Sequence, residues 1–320
     1  MKPVIDKIDR KLLLEELTSD KLLRPTNKGG NEIYIVDAFD SPNTMREIGR
    51  LRELAFRAAG GGTGLDCDID EFDTMETPCR QLIVWNPETQ EILGGYRFIL
   101  GEDIRIIDGR PNIACAHMFN FSPEFMDYYL PRTIELGRSF VVLDYQNTSE
   151  LRPKSIYVLD NLWDGLSAVT MLYPQIEYLF GKVTMYPKFG VKGRDMILAY
   201  MHRHFPDPER LVWPIDALDS DADSPEFQSM FSGDLREDML LLNQQLRQLD
   251  RKVPPLVNAY MALSPSMRVF GTAINREFGD VEETGILLHI PEIYEEKKKR
   301  HFESFDLENS PYGKKIRKTN

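Results

Sequence analysis

The chain has 320 residues and a formal net charge of -12, with 42% hydrophobic and 28% charged residues. That balance suits one large globular unit or two small ones and excludes general disorder. The acidic surplus argues against nucleic acid as the main partner, because phosphate binding wants a strongly positive surface.

No apolar run approaches the roughly 20 residues that span a bilayer, and the polar start from Met1 to Arg10 holds no apolar secretion-signal region. The three cysteines, Cys67, Cys79 and Cys115, lack the spacing of a zinc or redox site. The expectation is a cytoplasmic setting with reduced cysteines.

Ser41-Pro42 predicts a helix start, with Ser41 as N-cap, and Met45, Ile48, Leu51, Ala55 and Ala58 then recur at helical spacing until Gly60-Gly61-Gly62. Strands are predicted over 80–86 and 91–100, joined through the turn-forming Asn86-Pro87-Glu88-Thr89, and a third over 133–143. Residues 154–173 read as a helix with Ile156, Leu159, Leu162, Trp163 and Leu166 on one face; 176–186 returns as a strand, and another helix follows Gly193.

Residues 206–226, rich in Pro, Asp and Ser, read as a surface insertion. An amphipathic helix over 235–249 precedes a short helix from Pro254-Pro255 to Leu263 and strands near 267–273 and 285–290. The expected organisation is a single α/β domain over 1–291, with 292–320 as a charged tail that is frayed or disordered.

Several residues stand out chemically. Glu135-Leu136-Gly137-Arg138 lies within a predicted strand, where alternation puts Glu135 and Arg138 on opposite faces unless a bulge intervenes. Charge beside Phe140, Val141 and Val142 is costly to bury without partners, so the pair is either structural or a site. Arg97 follows Gly94-Gly95 in another apolar strand, which suggests a bend or close approach.

Arg52 and Phe56 lie one helical turn apart, and Asp70 and Asp73 are acids three apart; each has an ordinary reading as surface charge, core or cap. Gly60-Gly61-Gly62-Thr63-Gly64 follows a helix rather than preceding one, so it reads as a chain turn and not a phosphate cradle. His202 and His204 diverge on a helix, which leaves no metal site, and no nucleophile elbow is present. A basic cluster comprises Lys182, Lys188, Lys192, Arg194 and Arg203, and Lys297-Lys298-Lys299-Arg300 adds a second.

Together, Arg52-x-x-x-Phe56, Asp70-x-x-Asp73, Arg97 and Glu135-x-x-Arg138 resemble the invariant set of acyl-homoserine-lactone synthases, which are GNAT-like enzymes. The match departs at the aromatic position expected shortly after Phe56, where Ala58-Ala59-Gly60 stand, and the S-adenosylmethionine pocket goes with that position.

A closer resemblance covers most of the chain. Tyr178-Leu179-Phe180-Gly181, His202-Arg203-His204-Phe205, Pro254-Pro255-Leu256, Tyr260 and Gly271-x-Ala273 resemble the hemolysin-like N-acyltransferases that start ornithine-lipid and glycine-lipid synthesis. Asn27 and Gly29-Gly30-Asn31-Glu32 are closer to the glycine branch.

That resemblance implies a GNAT-like mixed central sheet with helices on both faces and a C-terminal helix–strand extension. It implies transfer of a 3-hydroxy fatty acyl group from acyl carrier protein to the α-amine of an amino acid, glycine before ornithine, in aminolipid synthesis. No cofactor is expected; the phosphopantetheine thioester of acyl carrier protein is a co-substrate.

The connection Asn147 to Lys154 agrees, since it lacks the glycines that cradle a coenzyme pyrophosphate, and Arg152 and Lys154 suit a single phosphodiester. The implied roles are Glu135 as base, Arg138 and Arg97 on the acceptor carboxylate, and Arg52, Phe56, Asp70 and Asp73 lining the substrate site. Lys188, Lys192 and Arg194 are expected to dock the carrier protein, and release of a lipid product is compatible with peripheral contact at the inner membrane face. The rival readings are an acyl-homoserine-lactone synthase and a non-catalytic acyl-binding or membrane-active protein.

Overall fold

A computed structural model describes residues 1–146 and 157–319. The chain divides into two compact units, where one domain was expected: unit 1 comprises Met1–Asp103, Ile134–Ile176 and Glu295–Asn320, and unit 2 comprises Ile104–Thr133 and Glu177–Tyr294.

In unit 1 the elements run α1 (Arg10–Glu16), β1 (Leu22–Pro25), β2 (Glu32–Val36), α2 (Pro42–Ala59), α3 (Glu71–Thr74), β3 (Arg80–Asn86), β4 (Glu91–Leu100), β5 (Thr133–Val141) and α4 (Val158–Leu172), and close with α5 (Glu295–His301) and α6 (Pro311–Thr319). The strands pair antiparallel in the order β1-β2-β3-β4-β5. Their near-continuous burial is that of a sheet covered on both faces, and alternation on β3 shows how. Leu82 faces α4 so closely that a Cβ on Gly165 would lie 2.7 Å from its side chain. Gln81 faces the other way and accepts a hydrogen bond from Arg52 of α2.

The start of α2 is built differently from the sequence expectation. Ser41 makes no side-chain cap; its hydroxyl accepts from buried Lys21 at 2.7 Å. Glu16, from the end of α1, takes the free amides of Asn43 and Thr44 at 2.9 and 2.7 Å. The far end matches expectation: Gly60 adopts φ 105°, and the turn beyond is held by Glu53, which accepts from the amides of Thr63 and Gly64 at 3.0 and 2.7 Å.

The charged tail is also folded rather than frayed. His301 is 5% exposed, with its Nδ1 2.8 Å from Asp164 of α4, while Ser310 donates to the carbonyl of Leu23 at 2.8 Å and Tyr312 is buried. A few anchoring residues among many charges hold α5 and α6 down, and alternation of charge signs conceals them in sequence.

In unit 2, Tyr178–Met185, Val281–His289 and Arg268–Asn275 pair antiparallel in that order, with the helices Val191–His204 and Leu235–Gln248 in the same unit. Residues 206–226 are stitched in rather than looped out: Val212–Pro214 pairs with Phe119–Phe121, and Leu218 donates to Thr272 at 2.8 Å. Strands and helices interleave as the α/β expectation required. Among the described residues no helix is long and apolar enough to cross a membrane.

Candidate active site

The catalytic and substrate-binding residues expected from sequence lie in unit 1, on and beside the face of the sheet that Gln81 presents. Arg97 on β4 stands opposite Gln81 on β3 and opposite Gly137 on β5, while Glu135 stands opposite Ile99 two residues away. Directly opposed residues in an antiparallel ladder point to one face, so Gln81, Arg97, Gly137 and Glu135 share it.

Of the two geometries open to this strand, the bulge is the one present. Between the pairs Gly95–Phe140 and Arg97–Gly137, the two residues Arg138 and Ser139 face Tyr96 alone, and Arg138 takes φ 50°. A left-handed conformation in a non-glycine residue is uncommon and needs support from its surroundings. Support comes from two carboxylates: Asp68 within 3.2 Å of Nε, and Asp70 at 3.2 Å from Nη2.

Asp70 and Asp73 each do two jobs. They form a reciprocal capping box around α3, Asp70 accepting from the amide of Phe72 at 3.0 Å and Asp73 accepting from the amide of Asp70 at 3.2 Å. Both also bind arginines: Arg97 Nη1 lies 2.5 Å from Asp70 and 3.4 Å from Asp73, and Arg52 Nη1 lies 3.2 Å from Asp73. Gln81 donates to Asp73 at 2.9 Å, and the ring of Phe72 lies under the Arg97 guanidinium at 5.5 Å.

The electrostatics separate two neighbouring carboxyls. Burial works to raise Asp70, but Arg97, Arg138 and Arg52 outweigh it and hold the carboxyl down at about 2. Burial prevails at Asp68, which stays above the usual carboxylate range despite Arg138, Arg52 and Arg97. Burial also pushes the Cys67 and Cys79 thiols up to about 11 and about 12, so neither is a ready nucleophile at neutral pH.

Sequence reasoning thus found Arg52, Asp70, Asp73, Arg97, Glu135 and Arg138, and the fold brings them together. Phe56 is buried on α2, and Arg97 is buried with its Nη1 held by Asp70 and Asp73. Asp68 and Gln81 were missed. Asp68 is fully buried because its loop lies against α2 at Gly49, where a Cβ would come 2.6 Å from Cys67 Sγ; that long-range fit leaves no local signal.

The basic cluster of unit 2 is smaller than its sequence suggests. Arg194 is buried and paired with Asp195 at 2.7 Å and Glu282 at 2.6 Å, and Lys182 pairs with Glu283 at 2.6 Å. Arg194 is therefore corrected from a docking residue to a structural one, while Lys188, Lys192 and Arg203 are exposed. Arg152 and Lys154 lie outside the described residues. His202 and His204 pair separately, with Asp223 and Asp238, and among the described residues no group of His, Cys, Asp or Glu is placed to hold a metal.

A family model described as an acetyltransferase (GNAT) domain matches residues 51–152, a span that contains the whole arginine–aspartate cluster and Glu135. That span is thus a GNAT acyltransferase domain. Over 318 residues it is 55% identical to the glycine N(alpha)-acyltransferase of Bacteroides thetaiotaomicron, covering 99% of this chain and 94% of that one. The protein of the same name from Phocaeicola vulgatus is 54% identical, with 99% and 97% covered. The chain belongs to the family of these acyltransferases. Among solved structures, an N-acyl amino acid synthase from uncultured soil microbes aligns with a TM-score of 0.35 and 10% identity, covering 82% of this chain and 91% of that one.

Proposed function

We propose that the protein transfers a 3-hydroxy fatty acyl group from the phosphopantetheine thioester of acyl carrier protein to the α-amine of glycine, with ornithine next in preference, as a step in aminolipid synthesis. One observation carries the reading: 55% identity across 99% of the chain to a protein named for acylating glycine.

In the chemistry proposed, Glu135 accepts a proton from the glycine ammonium and frees its lone pair; since Glu135 is 2% exposed, one bridging water relays the proton. The amine attacks the thioester carbon, the N–C bond forms, and collapse of the tetrahedral species breaks the C–S bond. The thiolate leaves and takes up the second amine proton. Backbone N–H groups where the bulge interrupts the ladder stabilise the oxyanion, a contribution of about 3 kcal/mol per donor. Arg138 and Arg97 hold the acceptor carboxylate, for which a guanidinium is better shaped than an ammonium. Lys188 and Lys192 receive the acidic carrier protein from the cytoplasmic side, and the lipid product leaves by peripheral contact with the membrane.

The test is product analysis by mass spectrometry, using purified protein, acyl carrier protein loaded with 3-hydroxy acids, and a panel of amino acids. N-acylglycine as the main product is expected. Acylation of another amine in preference, or activity only with S-adenosylmethionine, would replace the reading. Reversing charge at Lys188 and Lys192 is expected to raise KM for the carrier in a salt-dependent way, and unchanged kinetics would move docking elsewhere.

A further inference from the structure

At the face shared by Gln81, Arg97, Gly137 and Glu135, two buried Nε–H groups have no hydrogen-bond partner among the described residues, those of Arg52 and Arg97, and Arg97 is the one that stands on the sheet itself. Arg97 is 1% exposed, its Nη1 is bound by Asp70, and its Nε–H has no hydrogen-bond partner among the described residues. A buried N–H left unpaired costs about 1–3 kcal/mol, so it calls for an explanation. The explanation offered by the structure is the residue directly opposite.

A Cβ on Gly137 would meet one heavy atom within 4 Å among the described residues, chain neighbours aside, and that atom is Arg97 Nε at 3.8 Å. The contact is ordinary van der Waals spacing, and the backbone of Gly137 lies outside the left-handed region, so neither packing nor conformation demands glycine. Gly94 and Gly95, on the facing strand, are different: a Cβ there would strike the carbonyl oxygens of Phe140 at 2.6 Å and Leu82 at 2.8 Å. Gly137 is also part-exposed where Arg97 is buried, so the space at its missing side chain leads in to the Arg97 Nε.

We propose that Gly137 is a specificity-determining residue: the space left by its missing side chain admits the carboxylate of the acceptor amino acid onto the Nε–H of Arg97, beside Glu135. The inference rests on the amino-acid acceptor assigned above. A carboxylate oxygen over Gly137 completes the unpaired donor and sets the α-amine toward the proposed base. A methyl group at this position fills the opening without disturbing the fold.

The experiment compares wild type with Gly137→Ala for glycine and glycinamide, alongside thioester hydrolysis without any amine. Gly137→Ala is expected to raise KM for glycine at least tenfold and abolish the preference for glycine over glycinamide, with the melting temperature unchanged. KM and kcat both within twofold of wild type would overturn the proposal. So would a loss confined to kcat and hydrolysis, which would give the opening to the thioester oxygen instead. If the variant does not fold, equal use of glycine and glycinamide by wild type overturns it. A wild type that acylates a different amino acid and ignores glycine defeats the glycine assignment alone, and the same comparison is then made with that acid and its amide.

Discussion

Arg52 and Arg97 are exposed by 0% and 1%, whereas the Arg138 side chain is exposed by 14%, although all three bind aspartates within the same cluster. The floor, Arg52–Asp73–Gln81 with the Nη1 of Arg97, is a desolvated polar set whose geometry ties α2, α3, β3 and β4 together and leaves the Nε–H of Arg97 toward Gly137. The rim, Arg138 with Asp70 and the opening at Gly137, sits at a bulge where the ladder is interrupted, with buried Asp68 behind it. The difference shows that identical charge pairs serve unlike ends: buried ones fix shape, and partly open ones can exchange a partner for a substrate.

The sharpest way to test that division is Glu135→Gln, beside the rim. Turnover is expected to fall by about 10²–10⁴ with the melting temperature unchanged, and a fully active variant would take Glu135 out of the mechanism. Breaking the floor should do the opposite. Asp73→Ala strands Arg52 beneath the sheet and is expected to lose about 3–5 kcal/mol in denaturant unfolding; a loss below about 1 kcal/mol would show that the floor is not structural.

Acid gives a smaller effect with a definite sign. Asp70 sits at about 2 in the folded protein, below its unfolded value, so its contribution is present above the usual carboxylate range and lost as pH falls toward 2. The shift corresponds to about 2 kcal/mol. Asp68 is raised, so its burial opposes folding at neutral pH, and protonation relieves that opposition as pH falls below its folded value. Asp70→Asn should therefore flatten the acid limb of the stability profile, and Asp68→Asn should not. Smallest is Arg138→Lys, expected to raise KM for the acceptor about tenfold with kcat nearly kept; a change in kcat alone would place Arg138 elsewhere in the reaction.

Much of this arrangement was legible in the sequence. The hairpin over 80–86 and 91–100 followed from apolar runs around Asn86-Pro87, and its strands end where predicted. Arg97 and Glu135 announced themselves as charge within apolar strands, whereas Arg52 read as an ordinary helix charge until it was set beside the others, and alternation left open whether a bulge brings Glu135 and Arg138 to one side. The strands Leu22–Pro25 and Glu32–Val36 were not read, because they are short and are placed by pairing with each other and with β3 rather than by local pattern. Asp68 was one acid among Asp66, Asp68, Asp70 and Glu71, and which of them turns inward is decided by Gly49 across the fold. Arg194 looked like surface charge because helical periodicity does not reveal that Asp195 and Glu282 wait on its buried side.

The most direct test of the proposed acceptor site follows the guanidinium groups themselves. With arginine side chains labelled with ¹⁵N, titration with glycine should shift the Nε–H signals of Arg97 and Arg138 and leave that of Arg52 in place. Saturating glycine that is consumed in the assay, yet leaves the Arg97 and Arg138 signals unmoved, would contradict the account.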